Sequence, residues 1–154
     1  MQDLDAERAR FLIQDFKQGF IDFCQFNVET IKAGFLQSSL DVSPCHQQQD
    51  GFVHAGVMAT MADHTAGYAS FTLLDPAQQI LTIEFKINFL APAQGPKLVC
   101  RAEVLKSGKK LFVAESLVYD GDPESGGVLA AKAMVTLMPV PKEALRKRKA
   151  GAEP

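Results

Sequence analysis

The sequence predicts an α+β fold in which an antiparallel sheet wraps around one long central helix at about residues 53–73. Two observations favour this fold class. Residues 53–73 contain no proline, and small or apolar side chains occupy nearly every position, so the helix has no polar face for solvent. Segments with strand-like alternation precede and follow this run. A helix that is apolar on all sides needs a covering layer, and an antiparallel sheet has one face free to provide it.

The segments before the central helix predict an N-terminal helix and two strands. Apolar side chains recur at four-residue spacing in residues 4–24, which predicts an amphipathic helix, or two short ones, on the domain surface. These side chains are Leu12, Phe16, Phe20 and Cys24. Residues 26–32 and 35–42 are typical of strands, with a turn at Gly34 and a stop at Pro44.

A four-strand meander is predicted after the central helix. Residues 80–90 alternate strictly, and the apolar face holds Leu81, Ile83, Phe85, Ile87 and Phe89. Their neighbours Thr82, Glu84, Lys86 and Asn88 form the opposite, polar face. Further strands are predicted at 98–106, 110–120 and 128–138, and Pro139 and Pro141 are expected to end the last one.

Composition indicates one domain and excludes several classes of protein. A chain of 154 residues fits a single domain, 1–154, with a core at about 26–138, an N-terminal helical segment at 1–25 and a basic tail at 141–154. A net charge of -2 argues against a nucleic-acid partner. Three widely spaced cysteines indicate neither a disulfide framework nor a metal site. Without a signal core or a membrane span, we expect no membrane partner and a cytoplasmic location.

One carboxylate stands out within the apolar run. Burying an unpaired carboxylate costs several kcal/mol, so folding alone gives no reason for Asp63. His54 stands at the predicted helix start, nine positions earlier, which on a helix means about 13–14 Å of rise and nearly opposite faces. The two side chains cannot meet within one copy of the helix. If both belong to one site, that site needs a homodimer.

The order of elements, together with Gln48, Gly51, His54-Ala55-Gly56 and Asp63, resembles the hotdog-fold thioesterases, in particular the phenylacetyl-CoA-thioesterase-like (PaaI-like) branch. Asn88-Phe89-Leu90-Ala91-Pro92 is similar to the family's ending of the strand after the helix. The resemblance covers about residues 26–138. It implies an acyl-CoA thioesterase that needs no cofactor, because the CoA thioester is its substrate. It also implies a homodimer, and we expect a homotetramer.

The resemblance further implies a role for each matching residue. Asp63 would be the nucleophile or the base that activates water, and Gln48 and His54 would orient the thioester or that water. The amides of Ala55 and Gly56 would form the oxyanion hole at the positive end of the helix dipole. Thr82 falls where relatives often carry a Ser or Thr whose hydroxyl holds the water. Many relatives with Gln at the loop position carry Glu where this chain has Asp63, which alters the reach of the carboxylate.

Simpler interpretations stand beside these roles. Asp63 could be an interface carboxylate bonded to Thr60 or Thr65, and Thr82 an ordinary cross-strand residue. His64 is expected in the core or an interface, because on a helix it points about 100° away from its neighbour. The turn Lys106, Gly108, Lys109 and Lys110 could bind CoA phosphates, although exposed lysines in a hairpin are common.

Two alternative functions remain open at this point. One is a hotdog hydratase or dehydratase that acts on hydroxyacyl thioesters and also pairs a His with a carboxylate across an interface. The other is a non-catalytic protein that binds acyl-CoA as a sensor or carrier. Water addition to an enoyl-CoA would indicate the first, and tight acyl-CoA binding without thiol release would indicate the second.

Overall fold

A six-stranded antiparallel sheet and one 17-residue helix form the fold in the computed structural model, which describes residues 3–145. The elements follow along the chain as α1 (Ala6–Phe16), α2 (Phe20–Cys24), β1 (Asn27–Lys32), β2 (Phe35–Asp41), α3 (Ala55–Phe71), β3 (Gln78–Phe89), β4 (Lys97–Ser107), β5 (Phe112–Asp120) and β6 (Val128–Pro141). The spatial order is β1-β2-β4-β5-β6-β3, so β1 and β3 are the edge strands. The predicted α+β class, with a sheet around one long helix, is confirmed.

Small residues allow α3 to lie close against the sheet. Its fully buried positions are mostly small, namely Ala62, Thr65, Ala66, Ala69 and Ser70. The hydroxyl of Ser116 on β5 donates a 2.7 Å hydrogen bond to the carbonyl of Ala62. The hydroxyls of Ser38 on β2 and Thr65 lie 2.7 Å apart and share another. Helix and sheet are therefore in direct contact along the core, which fixes where α3 begins and which side chains face outward.

The N-terminal segment forms two helices, and α1 is tied to α3 by three hydrogen bonds. The Arg8 guanidinium donates to the Phe71 carbonyl at 3.0 Å, and the Tyr68 hydroxyl donates to Asp15 at 2.8 Å. The His64 ring donates from Nε2 to the carbonyl of Phe16 at 3.0 Å. His64 thus packs against α1 within the protomer. A place in the core was one of the two expected for it. A turn that includes Gly19, with φ 59°, separates α1 from α2.

The predicted end of the last strand is wrong. Strand β6 continues through Pro139 and Pro141, which pair with Ile80 and Gln78 of β3. Past Leu137, β6 has no partner on its β5 side, so a residue without an N–H is tolerated there. Lys142, the first basic residue of the predicted tail, has its ammonium 5.4 Å and 5.7 Å from the ring centroids of Phe11 and Phe71. The other basic residues predicted in the tail lie outside the described residues: Arg146, Lys147, Arg148 and Lys149.

A bulge in β3 reverses the predicted faces at the start of that strand. Thr82 pairs with Leu137 and Glu84 pairs with Thr136, so Ile83 is an extra residue. Leu137 is fully buried, and opposite residues of a ladder share a face, so Thr82 points toward α3. The polar face predicted for Thr82 is therefore wrong. None of the helices in residues 3–145 has the length and apolar character needed to cross a membrane.

Candidate active site

The loop before α3 delivers His54 to the helix start as an N-cap. A tight turn at Gly51, with φ 83°, brings Gln47 beside Val53 in an antiparallel bridge. The backbone amide of Gly56 then donates to Nδ1 of His54 at 2.9 Å. A Cβ on Gly56 would lie only 2.9 Å from that nitrogen, so the cap requires glycine there. His54 thus satisfies one of the donors that every helix start leaves free.

The amide of Ala55 is the donor left over at this helix start. It donates no hydrogen bond to any residue in the described part of the chain, and Ala55 is exposed. The positive end of the α3 dipole adds to its attraction for an oxygen that gains negative charge. Of the two amides predicted for the oxyanion hole, Ala55 is therefore free, whereas Gly56 is engaged by His54.

A cavity of about 650 Å³ opens beside the helix start. Gln48, His54 and Ala55 line it together with Phe89 and Leu90 from the end of β3. The fold therefore brings together three of the predicted site residues. Asp63 does not line this cavity. Phe89 and Leu90 supply an apolar wall, which is typical of ligand cavities.

Asp63 lies elsewhere on α3, where Thr82 holds it. The Thr82 hydroxyl donates a 2.8 Å hydrogen bond to Oδ1 of Asp63. Asp63 is half-buried, and this desolvation raises the pKa of its carboxyl, while the Thr82 bond partly offsets the rise. Thr65, proposed as an alternative partner, instead donates to the carbonyl of Met61 at 2.6 Å. Asp63 is thus a half-buried carboxylate with a raised pKa, and its hydrogen bond comes from strand β3 rather than from its own helix.

The described protomer does not bring Asp63 and His54 together. Nine residues of helix separate them by about 13 Å of rise, so each belongs to a different part of α3. The predicted CoA-binding turn is also remote from the helix start. Gly108 and Lys109 line a cavity with Leu73 and Leu74, just beyond the end of α3. Since α3 is about 25 Å long, one protomer cannot join this turn to Ala55.

A buried histidine near the site carried no sequence prediction. His46 ends a 3-10 turn, Pro44–His46, and only 3% of its surface is exposed. Ser43 followed by proline is typical of a helical start, and that pattern could have located the residue. Within residues 3–145, no three His, Cys, Asp or Glu side chains lie close enough to hold a metal ion.

Comparison with known proteins identifies the family of the chain. The thioesterase superfamily profile matches residues 50–126. A predicted esterase of Halobacterium salinarum is 31% identical over 133 residues, which cover 79% of this chain and 85% of the relative. A 1,4-dihydroxy-2-naphthoyl-CoA hydrolase of Listeria monocytogenes is 26% identical over 60% of this chain and 76% of the relative.

A solved thioesterase family protein from Silicibacter pomeroyi superposes with a TM-score of 0.82 at 32% identity. The superposition covers 87% of this chain and 98% of that one. It agrees with the profile match in both fold and family. The chain belongs to the thioesterase superfamily and has the hotdog fold.

Proposed function

We propose that the protein hydrolyses an acyl-CoA thioester to the free acid and CoA, at a site shared by two copies of the chain. The observation that carries the proposal is the carboxylate of Asp63, which is half-buried, raised in pKa and held by the Thr82 hydroxyl at 2.8 Å. A group of this kind is suited to take a proton from water. The name of the Listeria relative, a hydrolase of a CoA thioester, supports CoA as the carrier.

Asp63 acts as a general base in this proposal. A raised pKa favours proton uptake, whereas a carboxylate that attacks directly gains nothing from a neighbour that holds one of its oxygens. Water loses a proton to Asp63 as its oxygen bonds to the thioester carbon. The tetrahedral intermediate then expels the CoA thiolate, which takes the proton to leave as the thiol.

The amide of Ala55 stabilises the negative charge that develops on the thioester oxygen. This donor is free, exposed and directed outward at the positive end of α3. Loss of a single oxyanion donor in other enzymes costs about 10²–10³ in kcat, so one such amide contributes substantially. Gln48, on the wall of the same cavity, orients the thioester.

Strand β3 favours a second copy of the chain as the other half of the site. It is an edge strand of 12 residues with large exposed apolar side chains, among them Ile83 at 52% and Phe89 at 47%. A long, apolar, unpaired edge tends to pair with another strand. In an antiparallel pair of two β3 strands, the Thr82 end of one copy would face the Phe89 end of the other. The partner's Asp63 would then approach the cavity that contains Ala55.

Thiol release from a panel of aryl and aliphatic acyl-CoAs tests the proposal. We expect the wild-type protein to release thiol, and Asp63→Asn to lower kcat by about 10²–10⁴, the usual contribution of a positioned base. Glu103→Gln, an exposed carboxylate on β4, is the matched control and should behave as wild type. Tight binding without thiol release, or hydration of an enoyl-CoA in its place, would overturn the proposal.

A further inference from the structure

Two of the three cysteines line one cavity, of about 260 Å³, between α2 and the start of α3. Cys24 is the last residue of α2 and is 7% exposed, whereas Cys45 is exposed in the turn Pro44–His46. The third cysteine, Cys100 on β4, is fully buried and does not line this cavity. Two thiols on the wall of one cavity are candidates for a disulfide, and none of the roles assigned so far uses them.

The thiols of Cys24 and Cys45 lie near enough to influence each other. Burial raises the pKa of the Cys24 thiol, and the charge that Cys45 carries when ionised raises that pKa further. Cys24 therefore remains a protonated, shielded thiol. Cys45 is exposed, so it is the thiol that an oxidant in solution meets first. An exposed thiol with a second thiol beside it is the arrangement typical of redox-sensitive cysteine pairs.

Helix α2 can carry Cys24 across the cavity, because it is short and weakly held. It has five residues and lies between two positions with positive φ, Gly19 at 59° and Gln25 at 61°. The left-handed conformation is unfavourable by about 1–2 kcal/mol for a residue other than glycine, so Gln25 holds strain directly after Cys24. Phe20 and Phe23 are 63% and 76% exposed. Few side-chain contacts therefore oppose the approach to the Cα separation of about 4.4–6.8 Å that a disulfide needs.

The turn that carries Cys45 is tied to the start of α3. The sulfur of Cys45 lies 3.1 Å from the hydroxyl of Ser43, which begins the turn. The carbonyl of His46 accepts a 2.8 Å hydrogen bond from the backbone amide of His54, the N-cap of α3. A displacement of the turn is therefore transmitted to the N-cap and to the next amide, that of Ala55.

We propose that Cys24 and Cys45 form a reversible disulfide that lowers turnover under oxidising conditions, with a hydroperoxide such as hydrogen peroxide as the oxidant. The sulfur of Cys45 attacks one peroxide oxygen, the O–O bond breaks, and hydroxide leaves, so Cys45 becomes a sulfenic acid. The sulfur of Cys24 then bonds to that of Cys45 as the S–O bond breaks. Two thiols thereby lose two electrons and two protons, and hydrogen peroxide becomes two molecules of water. A dithiol reductant reverses the bond by exchange.

Thiol counting and peptide mapping test the bond without any substrate. After treatment with hydrogen peroxide, the denatured wild-type protein should contain one free thiol, that of Cys100, in place of three. A non-reducing digest should contain the peptides of Cys24 and Cys45 joined together, and the intact mass should remain that of one chain. Cys24→Ser should instead accumulate a sulfenic acid on Cys45, which dimedone traps. Three free thiols after oxidation, or a bond between two chains, would overturn the inference.

Turnover shows whether the bond acts as a switch, and this part rests on the proposed function. We expect oxidation to lower kcat/KM of the wild-type protein by about tenfold or more, because a misplacement of about 1 Å at a site can cost 10²-fold. Dithiothreitol should restore the original value. Cys45→Ser cannot form the bond, and its kcat/KM should be the same before and after oxidation. A disulfide-bonded protein with full turnover would overturn the inference. If no acyl-CoA is hydrolysed in either state, the proposed function fails, and the thiol count still decides the bond.

Discussion

Thr82 on the edge strand β3 donates a 2.8 Å hydrogen bond to Asp63 on the central helix, and the strand bulge makes this contact possible. Without the extra residue Ile83, the alternation would direct Thr82 to the outer face of the sheet. The contact places a carboxylate at the border between the core and the unpaired edge. A bulge next to a site often redirects one side chain in this way.

The first prediction concerns Thr82→Val. The Thr82 bond favours the ionised carboxylate and thereby lowers the pKa of Asp63 against the rise caused by burial. A general base must be ionised, so kcat/KM falls as pH drops through that pKa. Removal of the bond should raise the pKa further and move the acidic limb of the kcat/KM profile to higher pH. Thr82→Ser retains the hydroxyl and should restore the wild-type limb.

An acidic limb at the same pH in Thr82→Val and in wild type would contradict this prediction. It would show either that the bond does not persist in solution or that another group controls the limb. Folding should be verified in both variants by urea denaturation, because Thr82 also pairs with Leu137 in the sheet.

The second prediction separates capping from chemistry at His54. Loss of the cap in His54→Ala should lower the free energy of unfolding by about 1 kcal/mol, measured in urea. His54→Asn supplies another side-chain acceptor for the Gly56 amide and should recover most of this loss. In the structure His54 caps α3 next to Ala55. If this cap is its whole contribution, and the imidazole does not orient the thioester as the family resemblance implies, His54→Asn should also recover most of kcat/KM. A folded His54→Asn variant with no activity would instead assign chemistry to the imidazole.

The third prediction concerns pH-dependent stability at His64. Burial lowers the pKa of His64 to about 4, against an ordinary value of 6.5. Above pH 6.5 both the native and the unfolded states hold a neutral ring. Between pH 6.5 and 4 only the unfolded state takes up a proton, so stability falls as pH falls, by up to about 3 kcal/mol. His64→Gln retains a donor for the Phe16 carbonyl and should flatten this slope in denaturation curves.

Equal slopes for wild type and His64→Gln between pH 6.5 and 4 would show that the ring is solvated in the native state. The contact of α1 with α3 would then be open in solution. Tyr68 is a second probe of the contact between α1 and α3, because its hydrogen bond to Asp15 joins the same two helices.

Sequence patterns predicted the elements well because their periodicity is local. The apolar run of α3, the alternation of β3 from Phe85 to Phe89 and the turn at Gly34 each depend on neighbouring residues. The bulge at Ile83 left no trace, because Thr82, Ile83 and Glu84 alternate without interruption. Periodicity shows that a strand exists but does not reveal an extra residue within it.

Contacts across the fold were harder to predict at the site. The spacing of His54 and Asp63 on one helix correctly indicated that they lie apart, since helix geometry is fixed. The partner of Asp63 is 19 residues away on another element, and only tertiary packing selects Thr82 over Thr60 or Thr65. The Gly56 amide was predicted for the oxyanion hole but donates to His54 instead. That hydrogen bond depends on the rotamer of His54 and on the geometry of the helix cap. The burial of His46 likewise depends on how its turn packs.

The last prediction concerns dimer formation along β3. Ile83 and Leu105 are matched residues, because each is the extra residue of a bulge and each is an exposed aliphatic side chain, at 52% and 56%. Ile83 lies on the edge strand, whereas Leu105 lies on β4, inside the sheet. A lysine on an unpaired edge opposes pairing with another strand. Ile83→Lys should therefore sediment as a monomer and lose turnover, because Asp63 and Ala55 of different copies would no longer meet. Leu105→Lys should remain a dimer with wild-type activity, and a fully active monomer of either form would show that one copy of the chain suffices.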